Sequence, residues 1–208
     1  MKKIIYIMDP HCGWCYGNSD NITAVQQQYG EQVDFELLVG GMWLGRNAPT
    51  GGPQLENFIK THSPRMESTT GVYVSDKFYS LTGDASYTFS SLEPAAAIVW
   101  VKNNYPDKTF AFTKAVQKIM FAEGKRLDAA EVYHPLLQAE GIDVEKFNQE
   151  WLSEKNIEAT TAEFEKAAPL ASGFPTLLFQ NEEGVHHLFS GYLNKEKTQE
   201  VVEQLLKV

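Results

Sequence analysis

Cysteine is almost missing from this chain: 208 residues carry two, Cys12 and Cys15. A chain of this length buries a core without staples, so no disulfide framework is called for. Two thiols so close in sequence could staple little in any case. Basic charge is also short, with 18 Lys and Arg against 27 Asp and Glu and a net charge of −9. Nucleic acid and anionic membranes both need basic surface, so neither is an expected partner. No apolar run approaches the roughly 18 residues that suggest a membrane span. The opening apolar stretch is broken at Asp9–Pro10, too soon for a secretory signal, and the cytosol is the expected location. Apolar residues at 43% and charged residues at 22% are ordinary globular usage, which excludes a disordered or low-complexity chain.

What is present falls into three textures. Lys3 to Met8 is a short, β-branched apolar run, the pattern of a buried strand, and Pro10 ends it because proline cannot donate to a sheet ladder. Cys15, Asn18, Ile22, Val25 and Tyr29 then recur at three- and four-residue steps, a helix face with Gly30 as its stop. Val33 to Val39 is the next strand, so the opening predicts a parallel βαβ unit. From 43 to 168 the pattern is helical, over Leu55–Thr61, Ser75–Leu81, Leu92–Asn104, Asp107–Ala122, Ala129–Ala139, Val144–Leu152 and Ile157–Ala167. Strand signals return at Thr176–Gln180 and Val185–Ser190 as a hairpin, and Leu193–Val208 predicts a closing amphipathic helix. The expectation is an α/β protein in which a sheet domain, 1–42 and 169–208, is interrupted by a helical insertion, 43–168.

The chemistry sits in Cys12-Gly13-Trp14-Cys15, between a strand and a helix. A CxxC beside a βαβ pattern in a cytosolic protein points to a redox pair. The first turn of a helix has free N–H groups and a partial positive charge, which favours a thiolate over a thiol at Cys12. Cys15, one turn on, faces the same side and can attack the Cys12 sulfur. The competing readings are two small core residues or half of a zinc site. Zinc needs two more ligands, there is no third cysteine, and the neighbours His186 and His187 point to opposite faces of a strand. His11 is either an imidazolium that assists Cys12 or an exposed loop residue. Gly13 and Trp14 shape the surface a substrate meets. Met42, Trp43 and Leu44 form an apolar lip or pack on the helical segment. No acidic residue can be assigned as a buried proton carrier.

Two segments carry a family resemblance: Asp9-Pro10-His11-Cys12-Gly13-Trp14-Cys15-Tyr16-Gly17 after the first strand, and Gly173-Phe174-Pro175-Thr176 before the third. Together they resemble the thioredoxin-fold DsbA family of thiol–disulfide oxidoreductases. The first, with Gly40-Gly41 after the second strand, looks most like its signal-less FrnE-like branch. The resemblance implies a thioredoxin-like sheet domain with a large helical insertion, Cys12 as nucleophile and Cys15 as resolving thiol. It implies a cis Phe174–Pro175 bond facing the pair, with substrate bound along His11, Gly13, Trp14, Phe174, Pro175 and Thr176. Substrate peptide adds as a strand beside the proline. The implied partners are protein thiols and disulfides. No metal or organic cofactor is called for, with glutathione a candidate redox partner. Relatives suggest two other functions: a thioredoxin-fold adaptor for a protein partner, and a glutathione-dependent isomerase or transferase. The latter branch carries serine where this chain has Cys12.

Overall fold

The computed structural model describes residues 2–207. Four strands form one mixed sheet: β1 (Lys3–Met8), β2 (Asp34–Val39), β3 (Thr176–Asn181) and β4 (Gly184–Ser190), in the order β2-β1-β3-β4. β1 runs parallel to β2 and antiparallel to β3, and β3 is antiparallel to β4. A parallel step needs a crossover, and α1 (Gly13–Tyr29) supplies it. This topology sets the site. Met8 pairs with Val39, so β1 and β2 end at one edge. Thr176 pairs with Ile7, so the antiparallel β3 begins at that same edge. The chain therefore brings Asp9–Cys12, Gly40–Trp43 and Gly173–Pro175 together, although they are far apart in sequence.

Eight further helices follow: α2 (Pro53–Thr70), α3 (Asp76–Thr82), α4 (Leu92–Asn104), α5 (Thr109–Phe121), α6 (His134–Ala139), α7 (Val144–Glu150), α8 (Glu154–Ala167) and α9 (Lys195–Lys207). Side chains alternate across β1. Ile4, Tyr6 and Met8 face a core that continues through α1 into the helical segment, where Trp100, Phe112 and Phe147 are buried. Ile5 and Ile7 face the other way, against Leu38, Leu178 and Ala167 of α8. Both faces are covered, which is why β1 is apolar without alternation. None of the helices among the described residues is long and apolar enough to cross a membrane.

Three helices differ from their sequence pattern. The stretch expected at Leu55–Thr61 runs to Thr70, through Pro64. The proline removes one backbone bond, but Ser63 and Met66 on either side are buried, and packing carries the helix past it. It stops at Gly71, whose φ of 73° closes the end with an N–H bond to Glu67. The expected single helix Ala129–Ala139 is a 3₁₀ turn, Ala130–Val132, and a new helix opened by Pro135 in its first turn. The helix expected from Ile157 starts at Glu154, because the Ser153 hydroxyl caps it by accepting from Asn156 N–H. His186 and His187 lie on the edge strand β4 and are both exposed. Val208, the expected last residue of the closing helix, lies outside the described residues.

Candidate active site

Cys12 is the N-cap of α1, with an extended backbone (φ −79°, ψ 114°), and its carbonyl accepts from Tyr16 N–H at 3.0 Å. No acidic residue stands in the first turn of α1. The positive end of the helix dipole is therefore unopposed at that point. Both cysteines are buried, Cys12 at 7% exposure and Cys15 at 0%, and of the two only Cys12 lines the neighbouring pocket. Both are free thiols. Burial pushes the Cys15 thiol well above its ordinary range, and the neighbouring Cys12 sulfur pushes it the same way. Cys15 thus keeps its proton beneath Cys12.

The Phe174–Pro175 peptide is cis. The Phe174 carbonyl faces Cys12, whose Sγ donates to it at 3.5 Å, while the Pro175 carbonyl accepts from Gly191 N–H at 2.8 Å. Thr176 is fully buried; its hydroxyl donates to the Gly173 carbonyl and is shared with Ser190, each at 2.8 Å. Its side chain braces the loop. The Phe174 ring lies against the end of β2. A Cβ on Gly40 would meet Phe174 Cε1 at 2.1 Å, which is the physical reason for glycine there. Gly41 beside it has φ 65°, a left-handed conformation.

A paired test follows. Gly40→Ala forces the Phe174 ring to move and should cost about 1–3 kcal/mol, as overpacking does. Gly173→Ala meets open space and should stay within about 0.5 kcal/mol of the parent, as surface substitutions do. Urea unfolding midpoints measure both; equal losses at the two positions would contradict the packing account.

His11 is neither of the residues expected. It is 4% exposed and packed between Trp43, tilted by 36°, and Phe89, met edge-on at 72°, with centroids 5.8 Å from each. Burial holds its pKa down to about 3. It is neutral at physiological pH, and cannot act on Cys12 as an imidazolium. Neither ring nitrogen has a hydrogen-bond partner.

Sequence reasoning missed Asp9. It marked only the end of β1, yet its carboxylate is fully buried. That carboxylate accepts from His11 N–H at 2.9 Å, Met42 N–H at 2.7 Å and the Ser91 hydroxyl at 3.1 Å. It ties three segments together behind Cys12, and the Asp9 backbone carbonyl accepts from Cys12 N–H at 3.1 Å. Burial pushes its carboxyl above the ordinary value, against those three hydrogen bonds. In sequence it showed as the Asp-Pro turn after a strand and as the first residue of the segment carrying the family resemblance, with no role for its carboxylate. Tyr6, 2% exposed, was read as core. Its phenol lies near Cys15 and accepts from Asn18 Nδ2 at 3.3 Å.

A pocket of about 450 Å³ opens beside Cys12. Half-buried Gly13 and Trp14 lie on its α1 side and Met42 and Trp43 on its sheet side. α2 closes it with Leu55, Phe58, Ile59 and Met66, and Phe78, Phe89 and Phe121 line it from the rest of the helical segment. Met42 and Trp43 therefore do form an apolar lip, whereas Leu44 does not line the pocket and lies against Gly41.

A family model described as thioredoxin matches residues 5–200. Comparison with curated proteins finds no match. Among solved structures, a candidate protein disulfide isomerase from Nitrosomonas europaea is similar with a TM-score of 0.86 and 22% identity, covering 99% of this chain and 98% of its own. The cytosolic disulfide reductase DsbM from Pseudomonas aeruginosa is similar with a TM-score of 0.79 and 25% identity, covering 99% and 98%. Its complex with glutathione gives 0.78 and 26%, covering 99% and 100%. With a family match over nearly its whole length and a cysteine pair at the head of α1, the chain belongs to the thioredoxin family, in its DsbA-like oxidoreductase form.

Proposed function

We propose that the protein exchanges disulfides with thiol and disulfide substrates through Cys12 and Cys15. The observation that carries this reading is the asymmetry of the pair. Cys12 sits at the N-terminal end of α1 and lines the pocket, while Cys15 one turn on is fully buried and protonated. A nucleophile must be reachable and a resolving thiol must wait; burial divides the roles in that way.

The Cys12 thiolate attacks one sulfur of a substrate disulfide. The substrate S–S bond breaks, its second sulfur leaves as thiolate, and a mixed disulfide forms on Cys12. Cys15 then passes its proton to the departing thiolate and attacks the Cys12 sulfur. The first substrate sulfur leaves in turn, and the Cys12–Cys15 disulfide remains. The protein has given up two electrons, and an external thiol returns them. Run backwards, the same steps oxidise a dithiol. The Phe174 carbonyl, 3.5 Å from Cys12 Sγ, and the pocket rim at Gly13 and Trp14 are the surfaces a substrate sulfur meets first.

DsbM is a cytosolic reductase seen with glutathione, which favours reduction in the cytosol, with glutathione among the external thiols. The test is dithiothreitol-driven reduction of bis(2-hydroxyethyl) disulfide and of insulin by the wild-type protein and Cys12→Ser. Turnover that survives the substitution overturns the reading.

A further inference from the structure

The pocket beside Cys12 is not built for a charged ligand. No lysine or arginine lines it, and the chain as a whole is acidic. A ligand with free carboxylates finds no cation there to replace its water. The buried polar groups of its wall are occupied, with one exception. The Thr82 hydroxyl donates to the Tyr79 carbonyl at 2.7 Å, and Ser63 lies beside the Tyr79 phenol. His62 stands at the exposed rim, its ring 4.5 Å from that of Phe58. The exception is His11, with both nitrogens unpartnered and its ring held by Trp43 and Phe89. A buried polar group without a partner costs about 1–3 kcal/mol, and is kept where something else satisfies it. The volume, about 450 Å³, falls within the range of small-molecule sites, which combine apolar walls with few placed polar groups.

The geometry points to a binding site for a small, uncharged aromatic thiol, or the matching disulfide, with its sulfur at Cys12, its ring among Trp14, Trp43, Phe58 and Met66, and one polar atom hydrogen-bonded by His11. This rests on the disulfide-exchange reading for the role of Cys12 and names the substrate class of that site. Neutral imidazole offers one donor and one acceptor, so a phenolic or alcoholic hydroxyl on the ring suits it in either sense.

The test uses Cys12→Ser protein, which cannot form a mixed disulfide at the pocket, and reads the fluorescence of the pocket tryptophans Trp14 and Trp43. The probes are benzyl mercaptan, its three ring-hydroxylated isomers, 2-mercaptoethanol and glutathione. Benzyl mercaptan should bind at least about tenfold tighter than 2-mercaptoethanol or glutathione, reflecting buried ring surface. One hydroxylated isomer should gain about a further fivefold, the worth of one hydrogen bond. That gain should vanish in Cys12→Ser, His11→Phe protein while benzyl mercaptan still binds. Glutathione binding as tightly as benzyl mercaptan, or no aromatic preference at all, overturns the proposal. If the histidine variant does not fold, the ranking of probes on Cys12→Ser protein decides alone. The two readings fail separately. Wild-type turnover of bis(2-hydroxyethyl) disulfide without aromatic preference sinks the pocket and leaves the exchange. Aromatic binding without turnover sinks the exchange and leaves the pocket.

Discussion

Cys12→Ser should lower dithiothreitol-driven disulfide reduction by about three orders of magnitude or more, to the rate of the uncatalysed reaction. Removing a nucleophile elsewhere has effects of that size or greater. Serine keeps the volume and the hydrogen bond to the Phe174 carbonyl, so unfolding midpoints should barely move and lost folding cannot be the cause. Cys15→Ser should fail differently. Its Cys12 still attacks, but nothing sealed beneath it can release the bound half of the substrate. One thiol equivalent should then appear per protein instead of two, with the other half of the substrate held on Cys12 as a mixed disulfide visible by mass spectrometry. A mixed disulfide on Cys15 in the Cys12→Ser protein, formed as fast as on Cys12 in the wild type, contradicts the division of roles that burial sets.

The second large effect is on stability in acid. His11 has an ordinary value of 6.5 and a folded value of about 3. Between these two pH values the unfolded chain binds a proton at this site and the folded chain does not. Stability is therefore complete above about pH 6.5 and falls as the pH drops toward 3, by up to about 1.4 kcal/mol per pH unit. Asp9 acts in the opposite sense. Its folded value is raised above the ordinary 3.8, so the folded chain holds the extra proton just above that pH, and stability falls as the pH rises through the folded value. The histidine trend spans pH 6.5 down to about 3. His11→Phe keeps the ring contacts with Trp43 and Phe89, and the Asp9 bond to the backbone N–H of residue 11. It should flatten that part of the stability curve, measured by urea unfolding at a series of pH values. An unchanged slope means that His11 is charged or solvated in the folded state, and contradicts its burial.

What the sequence made legible is what depends on neighbours in the chain. Gly13-Trp14 between two cysteines, a proline ending β1 and a helix pattern starting at Cys15 were enough to place the pair at the head of α1. Phe174-Pro175 read locally as a loop before a strand, and that it faces the pair came only from the family resemblance. Gly40-Gly41 was legible only as a likeness. Its cause is the Phe174 ring, which arrives from the far end of the chain. The charge of His11 was not legible, because it depends on Trp43 and Phe89, both distant in sequence, closing over it. An exposed imidazolium and a buried neutral ring have the same local sequence. Asp9 was hidden by doing two things at once, since an Asp-Pro pair ends a strand whether or not its carboxylate accepts three hydrogen bonds. The length of α2 was missed because Pro64 is a local breaker, overruled by the burial of Met66, and that helix closes the pocket.

The central claim is that Cys12 and Cys15 act as one redox couple. Its most direct test is equilibration of the wild-type protein across a series of glutathione redox buffers, followed by acid quenching, alkylation and peptide mapping of both cysteines. The account predicts a single two-electron transition, in which the two thiols disappear together and reappear as one Cys12–Cys15 disulfide. Thiols that stay reduced throughout, or cysteines that each take up glutathione without ever joining to one another, would contradict it.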